Sequence, residues 1–380
     1  MYKERKLDIA SVIAEKSCFL LGPRQCGKSL LARTTLPDAY FFDLLDFEIF
    51  TRLARTPGYL GEVCIDPHRP VVIDEIQKLP LLLDEVHRLI ESRGLRFLLT
   101  GSSARKLRKG GVNLLGGRAR VRNLHPFSAA ELGEEFDLRK ALNFGLLPSI
   151  WYSDAPEEDL AGYARLYLEQ EILQEGATRN LPAFSRFLEV AALSNGEQIN
   201  YQAIASDSQL ARSTVQEYFR ILKDSLLAWE VPVWRHGHTR KTVETSKFYL
   251  FDPGVARRLQ GRRTVVPGTT EYGHAFEHWV MHELATYADA KCFDTEIAYW
   301  RTRTKLEVDF VVNSQVAIEA KATRNAKPEH LKGLKAIADE GAFQARILVC
   351  DEPHRRERDG IIILPWKEFV QMLWNGELFQ

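Results

Sequence analysis

Short apolar runs separated by turn residues dominate the first 127 positions of the chain. SCFLL (17–21) is continuously apolar, as a strand buried on both faces must be, and runs straight into a glycine-bounded loop and a helix starting at Ser29. YFFD (40–43), PVVIDEIQ (70–77), LRFLLTGSS (95–103) and VRNLHPF (121–127) follow as further strands. Between them the apolar positions recur with the 3.6-residue period of helices. Strands alternating with helices predict an α/β fold, a parallel sheet with helices on both faces. The pattern then changes. Residues 128–176 have helical periodicity, interrupted at the GLLPS turn near Pro148, and residues 182–251 give three helical segments and two strand-like ones around a basic turn. An arginine-rich connector, RRLQGRRTVVPGTT, leads to a last stretch (272–380) that alternates helix, several strands, helix and strand. These shifts divide the chain into residues 1–126, 127–180, 181–265 and 266–380.

Composition adds limits. With 380 residues, 45% hydrophobic and 27% charged, the chain can bury several cores. Its formal net charge is zero, so nucleic-acid binding needs local basic patches. The five cysteines (Cys18, Cys26, Cys64, Cys292, Cys350) are scattered without zinc-ligand spacing. Such thiols fit a reducing compartment, and a cytoplasmic location is expected. The N-terminus MYKERKLDIA has no apolar signal core, and no run approaches the roughly 20 apolar residues that span a bilayer, so no membrane partner is expected.

The chemistry begins at Gly22-Pro23-Arg24-Gln25-Cys26-Gly27-Lys28-Ser29, followed by Leu30. This is the phosphate-loop pattern GxxxxGK[ST], placed between a strand and a helix as its mechanism requires. Gly22 and Gly27 let the backbone wrap phosphates, while N–H groups and the helix N-terminus face the anion. Lys28 reaches the terminal phosphates and Ser29 holds magnesium, so ATP with Mg2+ is the expected cofactor. In VVID-Glu75 an apolar strand ends in two carboxylates. Asp74 would orient magnesium through water and Glu75 would polarise the attacking water. Thr100, or Ser102 just beyond it, is placed to contact that water or the terminal phosphate.

GPRQCGKS, VVIDEIQKLP, LLTGSSARKL and GGRARVRNLHPFSAAEL together resemble a widespread prokaryotic AAA+ ATPase family whose members carry an additional C-terminal domain. The likeness continues through YLEQEIL, STVQEYFRILKDSLL and KFYLFDPGVARRL and covers most of the chain. It implies an ATPase core (1–126), a helical lid (127–180), a winged-helix-like domain (181–265) and assembly into a homo-oligomeric ring, a hexamer among the options. In AAA+ proteins an arginine just before the fifth strand sits at the subunit edge, where it can stabilise charge on a neighbour's ATP. Arg118 is the candidate here and Arg120 the reserve.

In residues 201–227 a short helix, a turn and a longer helix read as a helix-turn-helix, with Ile204, Leu210, Val215, Tyr218, Phe219 and Leu222 on its buried face. Arg212, Ser213, Thr214, Gln216 and Arg220 are then exposed, where they can meet phosphates or base edges. The basic tip Arg235–Lys241, with Arg240 and Lys241, reads as a wing. DNA contact and protein contact both remain open for this domain.

The last domain carries EVDFVV (307–312), Asn313-Ser314-Gln315 and VAIEAK (316–321), a hairpin whose chemistry resembles the PD-(D/E)XK nuclease superfamily. Strand alternation points Glu319 and Lys321 to one face. A three-residue loop pairs Val312 with Val316 and Asp309 with Glu319; a two-residue loop would put Asp309 opposite Ile318. The longer loop is the expected one. Asp309 and Glu319 would hold Mg2+, or Mn2+, and Lys321 would orient water or stabilise the phosphate. Glu277 fits the acidic residue on the superfamily's first helix. His274, His278 and His282 repeat every four residues on that helix, and a partly solvated face is expected for them. The expected activity is ATP-dependent DNA processing with a metal-dependent nuclease-like domain, on branched or broken DNA by analogy. The rivals are a nucleotide-switched regulatory ATPase with an inactive nuclease-like domain, and a remodeller of protein partners.

Overall fold

The structure, a computed structural model, describes residues 3–102, 115–167, 180–235, 240, 242–262, 264–291 and 294–379. Five parallel strands, β1 (Ser17–Leu21), β2 (Tyr40–Asp43), β3 (Val71–Asp74), β4 (Phe97–Gly101) and β5 (Ala119–Asn123), stand in the order β2-β3-β4-β1-β5. Side-chain alternation explains why the central strands are apolar throughout. Phe19, Leu21, Ile73 and Leu99 enter one core, and Cys18, Leu20, Val72 and Leu98 enter a second on the opposite face. The fifth strand starts at Ala119, two residues before the expected Val121. It is an edge strand, in register from Ser17↔Ala119, and an edge strand needs no apolar run to pair.

Residues 127–180 bury no core of their own among the described residues. Leu147, Ile150, Leu160 and Tyr163 pack with Phe184, Phe187, Phe219 and Phe248 of the next segment. Phe127, Leu132, Leu142 and Trp151 instead join the core of the C-terminal part. In the middle segment α2 (Tyr201–Ser208) and α3 (Arg212–Asp224) flank a turn in which Gln209 is left-handed (φ 57); α1 is the helix Lys28–Thr35 after the phosphate loop. Of the expected buried face, only Leu210 stays half-buried. A hairpin of β6 (Ala228–Val231) and β7 (Lys247–Leu250) follows.

Of the basic tip expected as a wing, residues 236–239 and 241 lie outside the described residues. Trp234 N–H donates to Tyr299 O and Val243 N–H to Arg301 O, and bridges join Val233 to Tyr299 and Thr242 to Thr302. The described residues on either side of the tip, Val233 and Trp234 before it and Thr242 and Val243 after it, form a strap along the edge of the C-terminal sheet. That sheet has the order β12-β13-β11-β10-β9-β8, from β8 (Ile297–Arg301), β9 (Glu307–Val312), β10 (Val316–Ala320), β11 (Ala345–Cys350), β12 (Arg356–Arg358) and β13 (Ile361–Pro365). Helix α4 (Thr270–Lys291) covers one face, and Leu331, Leu334 and Ile337 pack on the other. Among the described residues no helix is long and apolar enough to cross a membrane.

Candidate functional site

Two groups of chemically active side chains stand apart. At the C-terminal end of β1 the phosphate loop turns into α1. A Cβ on Gly22 would lie 2.2 Å from the carbonyl oxygen of Leu124, so only glycine fits there. Gly27, left-handed at φ 95, starts α1. Lys28 is buried and donates to the carbonyls of Gly22 (2.8 Å) and Pro23 (2.9 Å). This folded-back cradle of backbone and ammonium suits a phosphate, which would replace those two carbonyls on the lysine. Ser29 is half-buried at the start of α1 and Leu30 half-exposed. Neighbouring elements fix the rest of the loop: Ser149 donates to Gln25, Tyr163 to the carbonyl of Arg24, and Cys26 to that of Pro23. Arg5, unremarked in the sequence, joins them from outside the sheet. Its guanidinium donates to the carbonyls of Cys26 (2.7 Å) and His125 (2.6 Å) and pairs with Glu131 (2.9 Å).

Asp74 and Glu75 end β3 beside the loop strand's neighbour β4. Thr100, expected to contact the attacking water or the terminal phosphate, donates its hydroxyl to Asp74 and accepts the backbone N–H of Glu75 (3.2 Å), which ties both acidic residues to β4. Ser102 is buried just beyond it. Glu75 is half-buried and left-handed (φ 61), and Gln77 donates to its carboxylate. Gly101 makes room for Gln77, whose Oε1 would lie 2.6 Å from a Cβ there. Gln77 sits within the quoted IDEIQ run, but nothing in its spacing marked it. Arg118 stands at the other end of the sheet, paired on its own chain with Glu91, while Arg120 pairs with Glu15 (2.5 Å).

The second group lies where β9 and β10 diverge. Their ladder runs Val316↔Val312, Ala317↔Val311 and Ile318↔Phe310, the register of a three-residue loop. Asn313 and Ser314 are both left-handed in that loop, a conformation asparagine tolerates well. Beyond the last rung, Asp309 accepts the N–H of Ala320 with its side chain (2.9 Å). Lys321 Nζ lies 2.7 Å from Glu319 and 3.4 Å from Asp309, so the three converge. Both carboxylates are buried. Burial, then the charge of Asp309, pushes Glu319 up to about 8. Burial works on Asp309 as well, yet Lys321, Lys247 and the Ala320 N–H hold it below its usual value. Glu319 Oε2 is buried without a partner, an open acceptor that a hard cation held with Asp309 would satisfy.

Glu277 does not join that pair. It accepts from Tyr249 (2.5 Å) and Lys247 (3.0 Å), and the described residues contain no group of three or more His, Cys, Asp or Glu arranged to hold a metal. The sequence reading missed Lys247, which comes from a different part of the chain. The histidine stripe also differs from expectation. His278 and His282 are buried, with Nε2 on the carbonyls of Leu250 (2.5 Å) and Phe127 (2.9 Å). Only His274 stays half-exposed.

Of the expected DNA contacts, Arg212 and Gln216 are exposed on α3 and Thr214 is half-buried. Arg240 pairs on its own chain with Asp339 (2.8 Å) and Glu340 (2.9 Å) and donates to Ala336 O. Lys241 lies outside the described residues.

Three family matches divide the chain. Residues 14–133 match the family described as AAA domain. Residues 135–265 match a domain of unknown function (DUF8612) and residues 272–369 another (DUF4143). No curated protein matches the chain. The first match and the loop-and-strand geometry together support an AAA-type ATPase at the N-terminal end of the chain.

Proposed function

We propose that this chain is an ATP-driven DNA-processing protein whose C-terminal part cuts phosphodiester bonds with the help of a divalent cation. The observation that carries the reading is the convergence of Asp309, Glu319 and Lys321 at one buried fork between strands. Asp309 and Glu319 would hold Mg2+ or Mn2+, which supplies charge stabilisation and an acidified water. Lys321 presents a fixed ammonium to the phosphate undergoing attack. Arg212 and Gln216 on α3 are the exposed groups best suited to duplex contact. At the other end of the chain Lys28 binds phosphate, Ser29 and Asp74 hold magnesium, and Glu75 polarises water. ATP turnover in an oligomer would then drive or license action on branched or broken DNA.

Nicking of branched and linear DNA with Mg2+ or Mn2+ tests the reading. Asp309→Asn and Glu319→Gln should each abolish cutting and leave ATP hydrolysis at the wild-type rate. Cleavage that survives both substitutions would refute the assignment.

A second reading is a nucleotide-switched regulatory ATPase whose nuclease-like domain is inactive. Arg240 favours it, because its charge is paired with Asp339 and Glu340 instead of facing a polyanion. Nucleotide-dependent DNA or protein binding, with no DNA form cut by either metal, would select it.

A further inference from the structure

Four carboxylates, Glu277, Glu307, Asp309 and Glu319, line one cavity of about 390 Å3 together with Lys247, Lys321 and Arg301. They divide into two pairs with different saturation. Lys321 bridges Asp309 and Glu319 and leaves Glu319 Oε2 open. The other pair already holds protein cations. Glu307 takes Lys247 on Oε1 (2.6 Å) and Arg301 on Oε2 (2.8 Å). Glu277 Oε1 takes both Lys247 and Tyr249. Lys247 Nζ also lies 3.8 Å from Asp309 Oδ1, which places one buried ammonium against three acids.

Lys247 does not belong to the C-terminal sheet. It opens β7, pinned by the rung Val231↔Lys247, and Tyr249 two residues on points the same way. A site with two divalent ions needs carboxylate oxygens free on both sides of the reacting phosphate. Here one side is already neutralised by a side chain from the preceding part of the chain. We propose that Lys247 is a resident cation of this site, standing where a second divalent ion would sit. The site then takes one ion, at Asp309 and Glu319, and is complete only when the β6–β7 hairpin is docked. The inference rests on the reading of these carboxylates as a metal-dependent site.

Calorimetric titration of the full nucleotide-free chain with Mn2+ tests it. The wild type should bind one equivalent, which Asp309→Asn removes. Lys247→Met should bind two, because Glu277 and Glu307 lose their ammonium, and Lys247→Met with Glu277→Gln should return to one. A thermal melt of each variant checks folding. The wild-type count does not depend on Lys247→Met folding: two equivalents that Asp309→Asn diminishes would overturn the inference while leaving the metal-dependent reading intact. A folded Lys247→Met that binds one equivalent as the wild type does would also overturn it alone. Absence of any Asp309-dependent Mn2+ binding in both proteins would sink the metal-dependent reading and the inference together.

Discussion

Thr100 has no charge, yet its hydrogen bonds tie both acidic residues at the end of β3 to β4. Its hydroxyl donates to Asp74 and accepts from the backbone of Glu75, and it is fully buried. Thr100→Val keeps the shape and deletes both bonds. A hydrogen bond to a charged group is worth about 1.5–3 kcal/mol, so ATP turnover should fall roughly tenfold to a hundredfold, with nucleotide affinity less affected. Glu75→Gln should retain ATP binding and stop hydrolysis, because the amide cannot accept the water's proton. Phosphate release and fluorescent-nucleotide titration measure the two effects separately. Normal turnover in Glu75→Gln would remove Glu75 from its role. The phosphate loop was readable because its mechanism needs glycines and a lysine at fixed spacing. Arg5 and Lys247 were not, since each meets its partners only after folding: Cys26 O lies 21 residues from Arg5, and Glu277 lies 30 from Lys247.

At the scale of elements, α4 links the parts of the molecule, and its polar residues make sense only as seams. His282 meets Phe127 O, His278 meets Leu250 O, and Glu283 accepts from the N–H of Ala129 (2.8 Å) and the indole of Trp374 (3.1 Å). A repeat of four marks one helix face, but not whether water or another part of the chain lies against it. Hence a stripe expected to be partly solvated is buried at two of its three positions. The hairpin of β9 and β10 was legible for the opposite reason, since alternation and loop length are local properties. The strap at Arg240 was not legible, because the acids that take its charge lie about 100 residues on.

Burial lowers His282 to about 3 against an ordinary 6.5. The unfolded chain therefore binds a proton at His282 that the folded chain refuses between those values. Stability from this group is full above pH 6.5 and is lost as pH falls through that window, by about 1.4 kcal/mol per unit. Glu283, raised to about 7 chiefly by burial, acts with the opposite sign above pH 4.5, so the raw stability curve mixes the two. The difference between wild type and His282→Asn isolates the histidine. Their stability gap, from urea melts, should narrow steadily from pH 6.5 towards pH 4. A gap independent of pH would mean that the ring is solvated.

For the whole molecule the question is whether one chain suffices for catalysis. Arg118 directly precedes β5, whose first residue lies beside Ser17 at the start of β1, whereas the phosphate loop follows Leu21 at the other end. At about 3.3 Å per residue, the length of β1 separates Arg118 from its own loop by roughly 16 Å. That is more than an arginine side chain spans, so any action on ATP has to be on a neighbouring subunit's. Its pairing with Glu91 on its own chain is solvent-exposed and therefore easily exchanged for a phosphate. Lys28→Ala subunits lack a working loop and keep Arg118; Arg118→Ala subunits have the converse defect. Each should be nearly inactive alone. Mixed together they should recover part of the ATPase rate, since a loop from one then faces the arginine of the other. Mixed oligomers that form by native mass measurement and still show no recovery would exclude Arg118 as the trans-acting group and turn attention to Arg120, two residues further along the same edge strand.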